Sequence, residues 1–383
     1  MPAGIAPLRI GVNALYLIPG GVGGTEIYLR CLLQALANQD SLNHYVVFTN
    51  RETGPSLLPP APNFEHAPQP VHARFRPARI LWEQFALPWL VARQRLHVLL
   101  NPGFTSPVLC SCRQVTVFHD LQHLRHPEHF RWFDRPFWRV LLAASAHRSH
   151  RLIAVSEATR RDLLHYYRLP PDKIDVVHHG VDPGLAGVQA RRAAAKPQPY
   201  FLCVSTLHPH KNLVRLLAAF AAVRARRPEF KLVLAGMRGF HTGAVEQMAV
   251  RLNLRDAVTM TGWIAREELC QLFEKAAAFV YPSTFEGFGL PVLEALACGI
   301  PCTCSDIPPL REIAGDAALF FDPSDEQAIR SAMLRLIEDS GLREELAVRG
   351  PQRAQRFTWE DAAVRTLASI RRCAQDYRSR SSS

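Results

Sequence analysis

Short apolar runs alternate along most of the chain with longer stretches whose apolar residues recur every three or four positions. Runs of four to eight β-branched and apolar residues mark strands buried on both faces, and the three-and-four spacing marks helices that lay one face on a sheet. The pattern therefore predicts an α/β protein with parallel sheets covered by helices. In the first half the predicted strands are Leu8–Leu15, Tyr45–Thr49, Val98–Leu100, Val115–Phe118, Leu152–Val155 and Asp175–Val177. After Thr25, residues Leu29, Leu32, Leu33 and Leu36 share one helical face, which makes Gly20–Gly24 a loop between strand and helix.

The alternation fades over Asp182–Pro199, where prolines, glycines and the Ala/Arg-rich Ala190–Lys196 take over. Residues 185–199 are read as a linker between a domain over 1–184 and a domain over 200–357. A chain of 383 residues is long enough for two such cores. In the second, strands are predicted at Phe201–Ser205, Lys231–Ala235, Val258–Thr261, Ala278–Tyr281 and Pro301–Cys304. Helices are predicted between them at Leu213–Arg226, Val245–Leu252, Glu267–Lys275 and Leu290–Ala297. Residues 358–383 hold a last helix, Trp359–Tyr377, and a tail, Arg378–Ser383, expected to be disordered.

Composition narrows the class. With 48% hydrophobic and 21% charged residues the chain reads as a soluble globular protein. The apolar stretches 80–100 and 137–146 are broken by Glu83, Arg93, Arg95 and Arg139, so no transmembrane helix is predicted. Met1–Pro7 lacks the basic and apolar regions of a signal peptide, and a cytoplasmic location is expected. The nine cysteines lack framework or zinc-ligand spacing and read as buried thiols. The net charge of +11 should attract a polyanion. No nucleic-acid-binding motif is present, which leaves phosphorylated substrates and an anionic membrane surface.

In doubly wound sheets ligands bind at the carboxyl ends of strands, where helix N-termini offer amides to anions. The segment Ser283-Thr-Phe-Glu-Gly-Phe-Gly-Leu-Pro-Val-Leu-Glu294 follows an apolar strand and enters a helix with Pro291 in its first turn. Gly287 and Gly289 allow close backbone approach, and amides near Leu290 to Val292 suit phosphate oxygens. Glu286 and Glu294 are acceptors for sugar or ribose hydroxyls.

Two glutamates separated by seven residues, flanked by Phe-Glu-Gly-Phe-Gly-Leu-Pro and Ala-Cys-Gly-Ile-Pro, resemble the signature of glycosyltransferase family 4. The resemblance implies the GT-B fold: two Rossmann-like doubly wound domains facing across a cleft, with a C-terminal helix crossing back to the first. It implies that Glu286 contacts the transferred sugar and Glu294 the nucleotide ribose, with Gly287, Phe288, Gly289, Leu290 and Val292 forming the donor loop. Val204-Ser-Thr-Leu-His-Pro-His-Lys-Asn212 resembles the family's phosphate loop, so Lys211 inherits the contact with the donor diphosphate and Ser205 and Thr206 flank it. Many members carry an Arg where this chain has Ser205 and Thr206, and His208, His210 and Arg238 are alternative sources of that charge. A solvated lysine at a helix start would account for Lys211 without any ligand. Gly262 and Trp263 match the position that holds the nucleotide base, and a buried core tryptophan is an equal alternative.

In the first domain Gly20–Gly24 fits neither a nucleotide-triphosphate loop nor the dinucleotide fingerprint. It resembles the family's N-terminal glycine loop, which would place Gly23 and Gly24 near the donor phosphate; a plain tight turn is the alternative. His119 and Asp120 close a strand and match the family's active-site histidine and its neighbour. Ser156-Glu157 resembles a further motif and is equally well a helix cap.

The resemblance implies a retaining hexosyltransferase that needs no metal or other cofactor. Its partners would be a nucleotide diphosphate sugar, GDP-mannose before UDP- or dTDP-linked sugars, and a saccharide or lipid-linked saccharide acceptor in polysaccharide assembly. Peripheral contact with the inner face of the membrane is expected from the charge and from the Arg-rich segments Phe130–Arg139 and His147–Arg151. A nucleotide-sugar epimerase of the same shape is the competing enzyme class.

Overall fold

The computed structural model describes residues 6–21, 23–130, 132 and 134–381. The chain forms two compact units, Met1–Gly180 with Thr358–Ser383, and Val181–Phe357.

The sheet of the first unit has seven strands: β1 Arg9–Ala14, β2 His44–Thr49, β3 Phe64–Pro68, β4 Val98–Asn101, β5 Arg113–Phe118, β6 Arg151–Ala154 and β7 Ile174–Val176. They lie in the order β3-β2-β1-β4-β5-β6-β7, every pair parallel. The order reverses at β1 and β4, which makes the sheet doubly wound. Helices cover both faces, and Ile10, Val12, Val98, Val115 and Val117 are fully buried, as parallel strands require.

One part of this interior is polar. Asn13 Nδ2 donates to Asn101 Oδ1 (3.1 Å), and Asn101 Nδ2 donates to Gln114 Oε1 (3.2 Å), so three neighbouring strands are tied through buried amides. All three side chains are at most 2% exposed and each has a partner, which is what keeps buried amides affordable. The terminal helix, Trp359–Ser381, returns to this unit and takes in Arg378–Ser381 of the tail expected to be disordered, while Ser382 and Ser383 lie outside the described residues. Ser369 Oγ donates to Asp175 Oδ2 (2.7 Å), and Arg372 lies 2.8 Å from the same carboxylate. Gly180 makes the close approach possible, since a Cβ there would lie 2.4 Å from the backbone nitrogen of Trp359.

The second unit holds β8 Gln198–Val204, β9 Lys231–Ala235, β10 Val258–Gly262, β11 Ala276–Tyr281, β12 Cys302–Ser305 and β13 Leu319–Phe321, in the parallel order β10-β9-β8-β11-β12-β13. It is a second Rossmann-like sheet with its switch between β8 and β11. The stretch read as a linker, 185–199, belongs to this unit: Val188–Ala194 is a helix and Gln198 already starts β8. Arg192 holds that helix down by donating to the carbonyls of Phe273 (3.4 Å) and Glu274 (3.1 Å), at the C-terminal end of helix Arg266–Lys275, where a cation also meets the negative end of the helix dipole.

Candidate active site

Two constellations form at the carboxyl ends of strands, one on each unit. In the second unit, β8 and β11 are neighbours, so the segments that follow them leave the same sheet edge. The β8 segment ends in a tight turn, Pro209–Lys211, that Asn212 closes with φ 57°. Asn212 Nδ2 reaches the carbonyls of Pro282 (3.1 Å) and Pro323 (2.8 Å). The β11 segment answers with Thr284, whose amide donates to His210 O at 2.8 Å. This stitching carries Lys211 Nζ to 2.6 Å from Glu286 Oε1 and 2.9 Å from the Tyr281 hydroxyl. The two charged side chains are only 14% and 11% exposed, so Lys211 is not a solvated helix-start lysine. Burial, and then the Glu286 charge, push the Tyr281 phenol well above its ordinary value, so it stays a neutral hydroxyl beside the pair.

The donor loop runs from Glu286 into helix Leu290–Ala297 through Gly289 at φ 111°. That conformation favours glycine, and a Cβ there would in addition press on Leu310 Cδ2 at 2.4 Å. Of the amides expected to face phosphate, Pro291 has none and Val292 N donates to Gly289 O (3.0 Å), leaving Leu290 in the first turn. Phe288 turns its ring inward, edge-on to Phe357 at 6.1 Å, so only its backbone serves the loop.

Glu294 sits one turn inside the helix and is 4% exposed. Burial raises its pKa from 4.5 to about 7, with Arg266 lowering it and Asp182 raising it further. Arg266 is itself ion-paired with Asp182. Neither residue carries a motif, and only the fold reveals them as the electrostatic setting of Glu294.

Ser205 lies against the next loop: Gly236 has φ 142°, and a Cβ there would lie 2.2 Å from Ser205 O, while Thr206 O accepts the His208 amide at 2.8 Å. Gly236 N in turn donates to Gly262 O (3.2 Å). Trp263 follows with 69% exposure, which removes the alternative of a core tryptophan. Among the alternative cations, Arg238 is engaged with Glu246 at 2.5 Å, whereas His208 and His210 share the Lys211 turn with their rings stacked at 5.9 Å. A cavity of about 560 Å³ opens among Gln198, Ala277 and Pro301, at the other end of these strands, and shares no residue with the constellation.

In the first unit His119 follows β5 and is 7% exposed. Its Nε2 donates to Pro102 O at 2.8 Å, a carbonyl that can only accept, so Nε2 carries the proton. Burial lowers its pKa to about 4, and the imidazole is neutral at physiological pH. Tyr28 (4.8 Å), Phe104 (5.1 Å) and His179 (5.6 Å) surround the ring. His179 carries no motif, yet it follows β7, and the strand-end rule that singles out His119 applies to it as well. Asp120 Oδ1 accepts the Gln122 amide at 2.9 Å and so caps the next turn. Gly23 takes φ 57° with open space around its α-carbon, and Gly24 is already the first residue of helix Gly24–Gln39, not of the loop; Val22 lies outside the described residues. Ser156 caps helix Glu157–Tyr167 by accepting the Thr159 amide.

Among the described residues one group has metal-ligand chemistry, His126, Glu128 and His129. Glu128 already pairs with His126 at 2.9 Å, and the group shares no residue with either constellation.

Residues 22–185 match the family described as Glycosyltransferase Family 4, and residues 189–353 match Glycosyl transferases group 1. The O-antigen chain mannosyltransferase B of Escherichia coli is 30% identical over 289 residues, 73% of this chain and 75% of that protein. The O-antigen chain mannosyltransferase RfbU of Salmonella typhimurium is 29% identical over 266 residues, 68% and 71% of the two chains. In fold, the sucrose-phosphate synthase of Thermosynechococcus elongatus superposes with a TM-score of 0.78 at 22% identity, over 95% of this chain and 98% of that one.

Proposed function

The chain belongs to the glycosyltransferases, joining a family 4 region to a group 1 region in the GT-B fold, and from that premise we propose that it carries mannose from GDP-mannose to a saccharide or lipid-linked saccharide acceptor. Hexosyl transfer is common to the relatives, and the choice of mannose rests on the two O-antigen chain mannosyltransferases.

The observation that carries the reading is the contact of Lys211 with Glu286 at 2.6 Å, across two loops of one strand edge. A diphosphate entering there meets the Lys211 ammonium and the amide at the start of helix Leu290–Ala297, which together stabilise the charge that builds on the leaving group. Such stabilisation requires no metal. Glu286, held in place by Lys211, offers its second oxygen to hydroxyls of the transferred sugar. Glu294 accepts from the ribose, and Trp263 lies beside the base.

Because Glu286 is engaged by the cation that would bind phosphate, it serves as a positioning acceptor, and transfer proceeds on the front face with retention. In that step the acceptor oxygen forms the new bond to the anomeric carbon, the bond to the diphosphate oxygen breaks, and the acceptor proton passes to the leaving phosphate. Neutral His119 acts as a hydrogen-bonding group, not as an acid.

The test is mass-spectrometric turnover of GDP-mannose, UDP-glucose and dTDP-rhamnose in EDTA, with and without lipid-linked saccharide acceptors. GDP release that requires acceptor is expected. A new sugar nucleotide formed without acceptor would replace the proposal with an epimerase, and activity abolished by EDTA would overturn metal independence.

A further inference from the structure

Two of the nine cysteines depart from the buried-thiol reading. Cys110 and Cys112 stand just before β5, in a bent segment that belongs to no strand or helix, and their sulfurs lie 3.7 Å apart. Cys110 is half-buried, whereas Cys112 is 8% exposed. A disulfide needs the sulfurs at about 2 Å. The sheet ladder starts only at Arg113, so closing that gap breaks none of its hydrogen bonds. Cys302 and Cys304 also share a hydrogen bond, but both are fully buried within β12, closed to any reagent.

The two thiols differ in their surroundings. Cys112 Sγ lies 3.3 Å from Arg113 O, a carbonyl that can only accept, so Cys112 keeps its proton. Hydrogen bonding from the Cys112 thiol, helped by the Cys112 and Ser111 amides and opposed by burial, lowers Cys110 from 9.0 to about 7. A large fraction of Cys110 is therefore thiolate near neutral pH, the form that attacks sulfur. Cys112 is its built-in resolving partner.

A cavity of about 690 Å³ opens beside the pair and is lined by both cysteines. Arg95, Arg113 and Arg371 line it with His97 and His150, and no carboxylate of the described residues does. The size suits a small organic molecule, and the charge selects an anionic one. The cavity lies at the amino end of β5, while His119 follows its carboxyl end, so the pair is separate from the candidate active site.

We propose that Cys110 and Cys112 form a redox-active dithiol, oxidised by small anionic disulfides of the glutathione type that enter this cationic cavity. The Cys110 thiolate attacks one sulfur of the small disulfide, a mixed disulfide forms, and the other half leaves as a thiolate. Cys112 then gives its proton to solvent and attacks Cys110 Sγ, which forms the Cys110–Cys112 bond and expels the second thiolate. Two cysteines are oxidised, and one disulfide is reduced to two thiols.

The test is peptide mass spectrometry of the folded full chain after exposure to glutathione disulfide, with free thiols blocked by alkylation. The tryptic peptide 96–113 contains both cysteines and no other. It is expected to lose two hydrogens, and excess reduced glutathione should restore them. Cys112→Ser should stall with glutathione on Cys110, and Cys110→Ser should leave Cys112 unmodified. Arg95→Gln/Arg371→Gln should react about tenfold more slowly with glutathione disulfide and at the wild-type rate with neutral 2-hydroxyethyl disulfide. High salt should slow wild type in the same selective way. An unmodified peptide 96–113 in the folded chain, or a bond from either cysteine to Cys373 on the terminal helix, would overturn the proposal. A charge variant slowed equally toward both reagents, or toward neither, would overturn the anionic partner.

Discussion

Replacing Glu294 by glutamine should stabilise the ligand-free protein in alkaline solution while weakening nucleotide binding. Burial raises the carboxyl from 4.5 to about 7 in the folded state. Each pKa unit corresponds to about 1.4 kcal/mol, so the ionised carboxylate costs the fold on the order of 3 kcal/mol relative to the neutral acid. Because the folded pKa lies above the unfolded one, the folded state is favoured fully below about pH 4.5, and that contribution is lost as pH rises to about 7. Glutamine has nearly the same shape and does not titrate. The melting temperature of Glu294→Gln minus that of wild type should therefore grow between about pH 5 and pH 8, reaching several degrees at roughly 2–4 °C per kcal/mol. Scanning calorimetry across that range reads it directly. A residue that costs stability at neutral pH yet occupies the carboxyl edge of the sheet has the profile of a binding group. A difference that does not change with pH, or a wild type more stable than the variant at pH 8, would refute the reasoning.

Lys211→Ala removes the cation from Glu286 and should lower kcat/KM by about a hundredfold or more in a transfer assay. Glu286→Gln should lower kcat while GDP affinity holds, and a parallel loss of GDP affinity would contradict the division of roles. Gly289→Ala places a side chain at φ 111° and 2.4 Å from Leu310 Cδ2, so urea unfolding should report a loss of about 1–3 kcal/mol. His119, with its pKa lowered to about 4, should contribute no inflection to the pH profile of kcat/KM between about pH 5.5 and 8. An inflection near pH 6.5 that vanishes in His119→Gln would show that it titrates in the working range.

The central strands and several helices were legible because their patterns are strong. Helices Leu213–Arg226 and Leu290–Ala297 begin and end where the periodicity places them. The strands left unread, β3 and β13, are both sheet edges. β3 contains His66 and ends on Pro68, and β13 has three residues, so neither carries the apolar run that announces a central strand. The supposed linker misled for another reason. Its glycines and prolines mask the alanines that make Val188–Ala194 helical, and that helix is secured by Arg192 on carbonyls some eighty residues away, which no local pattern records.

The candidate site was readable where motifs are contiguous. Glu286, Glu294 and Lys211 stood out, and the fold brings Lys211 and Glu286 together. What could not be read was context: the Tyr281 hydroxyl beside Lys211, the Arg266–Asp182 pair near Glu294, and the ring cluster around His119 all depend on chain crossings.

The most direct test of the account is calorimetric titration of GDP, in the absence of metal, into wild type and Glu294→Ala. Micromolar binding that Glu294→Ala weakens about tenfold or more is the predicted result. No binding, or binding indifferent to the substitution, would contradict the placement of the donor nucleotide on the second unit.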